Sequence, residues 1–127
     1  MDNPFGAVGT AKYVLLTTFR KDGTPVATPL WAALDGGKLY VWTVTDSWKV
    51  KRIRRNPAVT LQSCNAAGKP HGDVIEGAAR ILDDEGSERV RTLIKRKYSV
   101  PGRLVVTGSV LRRGRRGTVG IEIVTGG

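Results

Sequence analysis

The sequence predicts a single small barrel of about six antiparallel strands with two or three helices. Three observations lead there. Short β-type runs follow one another closely, punctuated by Asp22-Gly23 and Gly36-Gly37, which are strong turn signals. A charge-graded helical stretch covers 83–98, with acids at its start and bases at its end. The chain then closes on a clean alternation, Val119, Ile121 and Ile123 against Gly120 and Glu122.

Taken in order, the residues up to about Ala11 read as loose chain or a short helical turn. Tyr13 to Arg20 is a strand with two largely apolar faces, as suits a barrel strand covered on each side. After the turn at 21–24, Pro25 to Leu34 reads as one strand. Pro29 in its middle cannot donate a ladder hydrogen bond, so either this is an edge or the ladder opens there to leave room for a ligand. Lys38 to Val44 completes a three-strand meander. Asp46 and Ser47 are both suitable N-caps for the short helix that follows, and Asn56-Pro57 stops it. Ala58 to Cys64 is the next strand, 65–72 a polar loop, and Val74 to Leu82 a strand with little bulk at Gly77, Ala78 and Ala79, where a second chain or a flat ring can approach closely. The helix over 83–98 buries Val90, Leu93, Ile94 and Tyr98. Pro101-Gly102 breaks it, and 103–111 is open between helix and strand. Residues 118–124 form the last strand. No repeat or linker divides the 127 residues, so residues 1–127 form one domain.

Composition narrows function. Twenty-one Lys and Arg against eleven Asp and Glu give a net charge of +10, which implies an anionic partner: nucleic acid, acidic lipid, or a phosphorylated or polycarboxylate cofactor. No apolar run approaches the ~20 residues of a membrane span, and the first residues carry no signal-peptide pattern. One cysteine, Cys64, and one histidine, His71, provide neither a disulfide nor a zinc site, so the expectation is a cytoplasmic protein without a metal. There is no dinucleotide fingerprint, P-loop or nucleophile elbow, and a single histidine argues against a Ser-His-Asp triad. No catalytic side chain is therefore expected; any hard chemistry belongs to a cofactor.

The densest signal is T-V-T-D-S-W-K-V-K-R-I-R-R-N-P over Thr43 to Pro57. It places Lys49, Lys51, Arg52, Arg54 and Arg55 in two helical turns, with Val50 and Ile53 as the inward face. The start of a helix presents unpartnered amides and the positive end of its dipole. With a hydroxyl and two lysines added, these residues suit a phosphate, or else they are a solvated basic face. His71, in the loop before the small-residue strand, is likewise either solvated or part of a site.

These stretches resemble the split-barrel flavin and deazaflavin oxidoreductases, the superfamily that includes pyridoxamine 5′-phosphate oxidase, and in particular the F420-dependent branch found in actinobacteria. The resemblance rests on Y-V-L-L-T-T-F-R-K-D-G-T-P-V-A-T-P at Tyr13 to Pro29, L-Y-V-W-T at Leu39 to Thr43, S-W-K-V-K-R-I-R-R-N-P at Ser47 to Pro57, E-G-A-A-R at Glu76 to Arg80, and the closing G-T-V-G-I-E-I. It implies a mainly β split barrel with helices, dimeric, with two cofactor sites in the interface. It implies that Thr43, Ser47 and Lys49 hold a cofactor phosphate. Lys51 falls where deazaflavin-binding relatives carry a base, and Ala27, Thr28, Pro29 and Leu30 lie along the tricyclic ring. Pro70, His71 and Gly72 would come from the other subunit. Trp48 stands where the oxidases commonly have Arg, and the residues that hold the oxidase's substrate phosphate are not evident, so pyridoxamine phosphate oxidation is not expected.

The expected function is an F420-dependent reductase passing hydride to a conjugated small molecule. FMN is the alternative cofactor, and an FMN- or tetrapyrrole-binding protein the alternative function. Specific nucleic-acid binding is not expected, because Trp48 is the only aromatic within the basic helix.

Overall fold

The computed structural model describes residues 3–113 and 117–125, the stretch 99–113 as backbone only. The elements are α1 (Ala7–Thr10), β1 (Tyr13–Phe19), β2 (Pro25–Leu30), β3 (Ala32–Asp35), β4 (Lys38–Val44), α2 (Trp48–Arg55), β5 (Ala58–Cys64), β6 (Pro70–Ile81), α3 (Asp84–Arg113) and β7 (Thr118–Thr125). All seven strands join one antiparallel sheet in the order β2-β1-β5-β6-β7-β4-β3.

The expected strand over Pro25 to Leu34 is two strands. Trp31 alone separates β2, paired with β1, from β3, paired with β4. These are the two edges of the sheet, so no three-strand meander forms. Two peptide units span about 7 Å at most, and the edges must therefore meet at Trp31. The sheet is not closed: its two edges are covalently continuous through Trp31 but share no strand ladder at this seam. Pro29 sits on an edge, opposite Leu15, where its missing N–H costs nothing.

Helix α3 staples this seam. The Tyr98 hydroxyl accepts from Ala32 N–H at 3.1 Å and lies 2.7 Å from the Lys12 carbonyl, to which it donates. Lys97 Nζ donates to the Ala11 carbonyl at 2.7 Å and the Ala32 carbonyl at 2.5 Å. The Tyr98 ring stacks on Trp31 with centroids 4.4 Å apart. Burial pushes the Lys97 ammonium down and the Tyr98 phenol up from their ordinary values.

The core is filled by alternate residues of the strands, among them Val14, Leu16, Leu39, Val41, Leu61, Ile121 and Ile123, with Phe5 and Val8 entering from the α1 segment and Ile53 from α2. Val90, Ile94 and Tyr98 pack α3 onto Tyr40 and Ala33 as a second cluster. The small residues of β6 serve a close approach within the chain: a Cβ on Gly77 would stand 2.9 Å from the Val124 carbonyl oxygen of β7. Gly120 is tighter still, with Val90 Cγ2 2.7 Å from the position its Cβ would take. Gly120→Ala is accordingly expected to lower stability by about 1–3 kcal/mol, read as a reduced urea midpoint at unchanged slope.

Two further expectations change. The polar loop is shorter than 65–72, because β6 begins at Pro70 and pairs His71 with Ser63. The helix does not break at Pro101-Gly102: α3 runs on to Arg113, which makes 103–111 helical. Proline removes one N–H and glycine costs about 1 kcal/mol, losses that a helix continuing on both sides absorbs. Of the arginine cluster Arg112, Arg113, Arg115 and Arg116, the first two lie on this helical backbone and the other two lie outside the described residues. No described helix is long and apolar enough to cross a membrane.

Candidate functional site

Helix α2 is set by its cap and by two apolar residues. Ser47 has extended backbone, and its Oγ accepts from Val50 N–H at 3.4 Å, which leaves its own proton to donate. Between the two candidate caps, Ser47 is the one used. Val50 and Ile53 are buried, which fixes the rotation of the helix. At roughly 100° per residue, Trp48, Lys51, Arg52 and Arg55 then share one outer side. Lys49 lies about 160° from Lys51, because positions i and i+2 do not face each other.

That outer side closes a cleft against the β1–β2 turn. Arg55 Nη2 donates to the Phe19 carbonyl at 3.1 Å, and Arg52 Nη1 reaches Thr18 Oγ1 at 3.5 Å. The cleft has a volume of about 390 Å³ and is lined by Arg20, Lys21, Trp48, Lys51, Arg52 and Arg55. Trp48 is 68 % exposed, and Lys51 Nζ stands 4.4 Å over its ring. Five cations and one indole face this space with no carboxylate among them. None of the five forms an ion pair with a described residue. Such a wall attracts an extended polyanion and offers one flat face for stacking.

The residues singled out in the sequence fall into six places. Trp48 and Lys51 meet in the cleft. Ser47 caps the helix beside it. Lys49 sits on the other flank, half-buried, its ammonium pushed below its ordinary value by burial and further by Arg52. Thr43 is 8 % exposed on β4, paired with Val119, at the end of the sheet from which the chain turns into α2.

Ala27, Thr28, Pro29 and Leu30 form the outer edge β2, whose backbone is laddered to β1 on one side only. The turn between β5 and β6 passes over Pro29, with the Cβ position of Gly68 3.5 Å from Pro29 Cγ. His71 is in neither place. It lies on β6, in the register row Leu30–Val14–Ser63–His71 that runs across β2, β1, β5 and β6.

Arg20 and Lys21 also line the cleft but stand outside the motif of α2; their signal in the sequence is a pair of cations beside the Asp22-Gly23 hairpin. Among the described residues no cluster of His, Cys, Asp and Glu has metal-binding geometry.

The comparisons with known proteins agree with this architecture. The family model described as pyridoxamine 5′-phosphate oxidase matches residues 7–114, and the chain belongs to that family. Among solved structures, a conserved hypothetical protein from Mycobacterium tuberculosis is 25 % identical with a TM-score of 0.69, covering 93 % of this chain and 75 % of that one. An F420 reductase is 21 % identical with a TM-score of 0.63, covering 100 % of this chain and 97 % of that one. The heme storage protein HutZ from Vibrio cholerae is 12 % identical with a TM-score of 0.65, covering 91 % and 82 %. No curated protein matches the sequence.

Proposed function

We propose that this protein is an F420-dependent reductase that acts as a homodimer on a conjugated small molecule. The observation that carries the reading is the cleft beside α2, with five cations, an indole and no acid. FMN ends in one phosphate; coenzyme F420 continues through a phosphodiester into an oligoglutamate tail. A row of cations reaching from Lys51 to Arg55 and across to Arg20 and Lys21 suits the longer anion.

In this reading the Ser47 hydroxyl and the first α2 amides meet the phosphate, and Lys49 supports it from the other flank. The cleft takes the tail, and the β2 edge at Ala27 to Leu30 lies against the ring, which it contacts through backbone. Thr43 fixes the strand end that aims α2, and the partner subunit covers the open edge with the segment around His71. When bound, the reduced deazaflavin supplies the hydride. The chain's task is to hold it, screen its charge and keep water from the ring. An F420 reductase with the same fold supports the reading.

Titration of cofactor-free protein with coenzyme F420 and with FMN, followed by cofactor and tryptophan fluorescence, tests it. The expected result is tighter binding of F420 by at least about tenfold, some 1.4 kcal/mol. Preference for FMN would instead give a flavoprotein of the same fold. Heme storage by a structural neighbour gives the tetrapyrrole alternative its support, and no cationic cleft is needed for a heme held by its apolar face.

A further inference from the structure

The deazaflavin reading leaves Trp48 without a task. Phosphates and glutamates have no ring to stack, and in that reading the β2 edge takes the cofactor's own ring. Yet Trp48 is the most exposed of the large apolar side chains described, at 68 %, and α2 docks through Val50 and Ile53 without it. It lines the cleft that Arg20, Lys21, Lys51, Arg52 and Arg55 surround. Lys51 Nζ stands 4.4 Å over the indole on one face, which at this exposure leaves the other face open.

The cations around the indole are partly set in place before any ligand arrives. Arg55 donates to the Phe19 carbonyl and Arg52 reaches Thr18 Oγ1. Arg20, Lys21 and Lys51 make no ion pair with a described residue, so their charge is left for a ligand. A volume of about 390 Å³ falls within the roughly 300–1,000 Å³ common for small-ligand sites. A flat face beside a compact group of cations suits an aromatic base carried on a phosphate chain. Stacking holds the ring, and charge holds the chain. The absence of any carboxylate from the lining leaves nothing to repel the phosphates.

We propose that the cleft beside α2 is also a nucleotide site, which takes a purine nucleoside triphosphate. The base stacks on the open face of Trp48, and the phosphates lie among Lys51, Arg52, Arg55, Arg20 and Lys21. A bound nucleotide excludes the cofactor's tail and so lowers cofactor occupancy. That consequence rests on the function proposed above; the nucleotide site itself does not.

The test is calorimetric titration of cofactor-free protein with ATP and with inorganic tripolyphosphate, which has the chain but no base, both without divalent metal. ATP is expected to bind about tenfold more tightly, the increment of one base stacked on an aromatic side chain. Trp48→Leu should remove that advantage while leaving tripolyphosphate within about threefold. Lys21→Glu combined with Lys51→Glu should weaken both probes by more than about tenfold, and it serves equally if Trp48→Leu fails to fold. ATP should also raise the apparent Kd of coenzyme F420 and leave that of FMN unchanged. Equal affinity for ATP and tripolyphosphate, an ATP advantage that survives Trp48→Leu, or ATP binding untouched by the double lysine variant would each overturn the proposal. Tighter binding of an adenine trinucleotide than of ATP would overturn it in favour of single-stranded nucleic acid. ATP that meets the first three expectations without competing with F420 leaves the nucleotide site in place and contradicts the placement of the tail instead.

Discussion

Lys21→Glu combined with Lys51→Glu is expected to weaken binding of coenzyme F420 by roughly thirty- to hundredfold, about 2–3 kcal/mol. Neither lysine's side chain makes a hydrogen bond or ion pair with another described residue, so the exchange leaves the fold in place. It turns a wall of five cations into three cations and two acids. An exposed charge contact contributes about 0.2–1 kcal/mol, and reversal replaces that attraction with a repulsion of similar size. FMN, which has no tail to lose, should change by less than about fivefold. The affinity of the unaltered protein should fall more steeply with salt than that of the variant, since exposed charges are screened over about 10 Å at 0.1 M ionic strength. Fluorescence titrations of both proteins at two salt concentrations check all three points.

Tyr98→Ala is expected to destabilise the fold by about 4 kcal/mol and Tyr98→Phe by about 2 kcal/mol. The phenol closes a seam where β2 and β3 share no ladder. Removing only its oxygen leaves the buried Ala32 N–H without its partner and frees the Lys12 carbonyl. Removing the ring also takes away the stack on Trp31 and opens a cavity beside Ile94. Urea unfolding followed by tryptophan fluorescence measures both. An ordinary core tyrosine whose hydroxyl reaches water would instead tolerate the phenylalanine well.

The sequence made the pairing strands and the helix cap legible, because alternation and capping are local. Lys38 to Val44 and Ala58 to Cys64 stand as read, the strand read over Tyr13 to Arg20 ends one residue earlier at Phe19, and Ser47, one of two candidate caps, caps α2. What decided against the single strand at Pro25 to Leu34 was nonlocal. Trp31 carries no turn chemistry, and only the pairing of its two sides with β1 and β4 divides the run. Pro101 is a local breaker overruled by the helix on either side of it.

The site followed the same rule. The composition of α2 announced an anion, and the i, i+2 spacing already sets Lys49 and Lys51 about 160° apart; which of the two faces the cleft is decided by the docking of the β1–β2 hairpin beside Lys51. Arg20 and Lys21 join the cleft through tertiary docking of the hairpin.

The central claim is that the cleft beside α2 holds the anionic tail of a deazaflavin. The most direct measurement is affinity against tail length, with forms of coenzyme F420 that differ only in their number of glutamates. Affinity is predicted to rise with the first few glutamates and to lose that dependence in the Lys21→Glu, Lys51→Glu variant. Equal affinity for forms with and without the tail would contradict the claim.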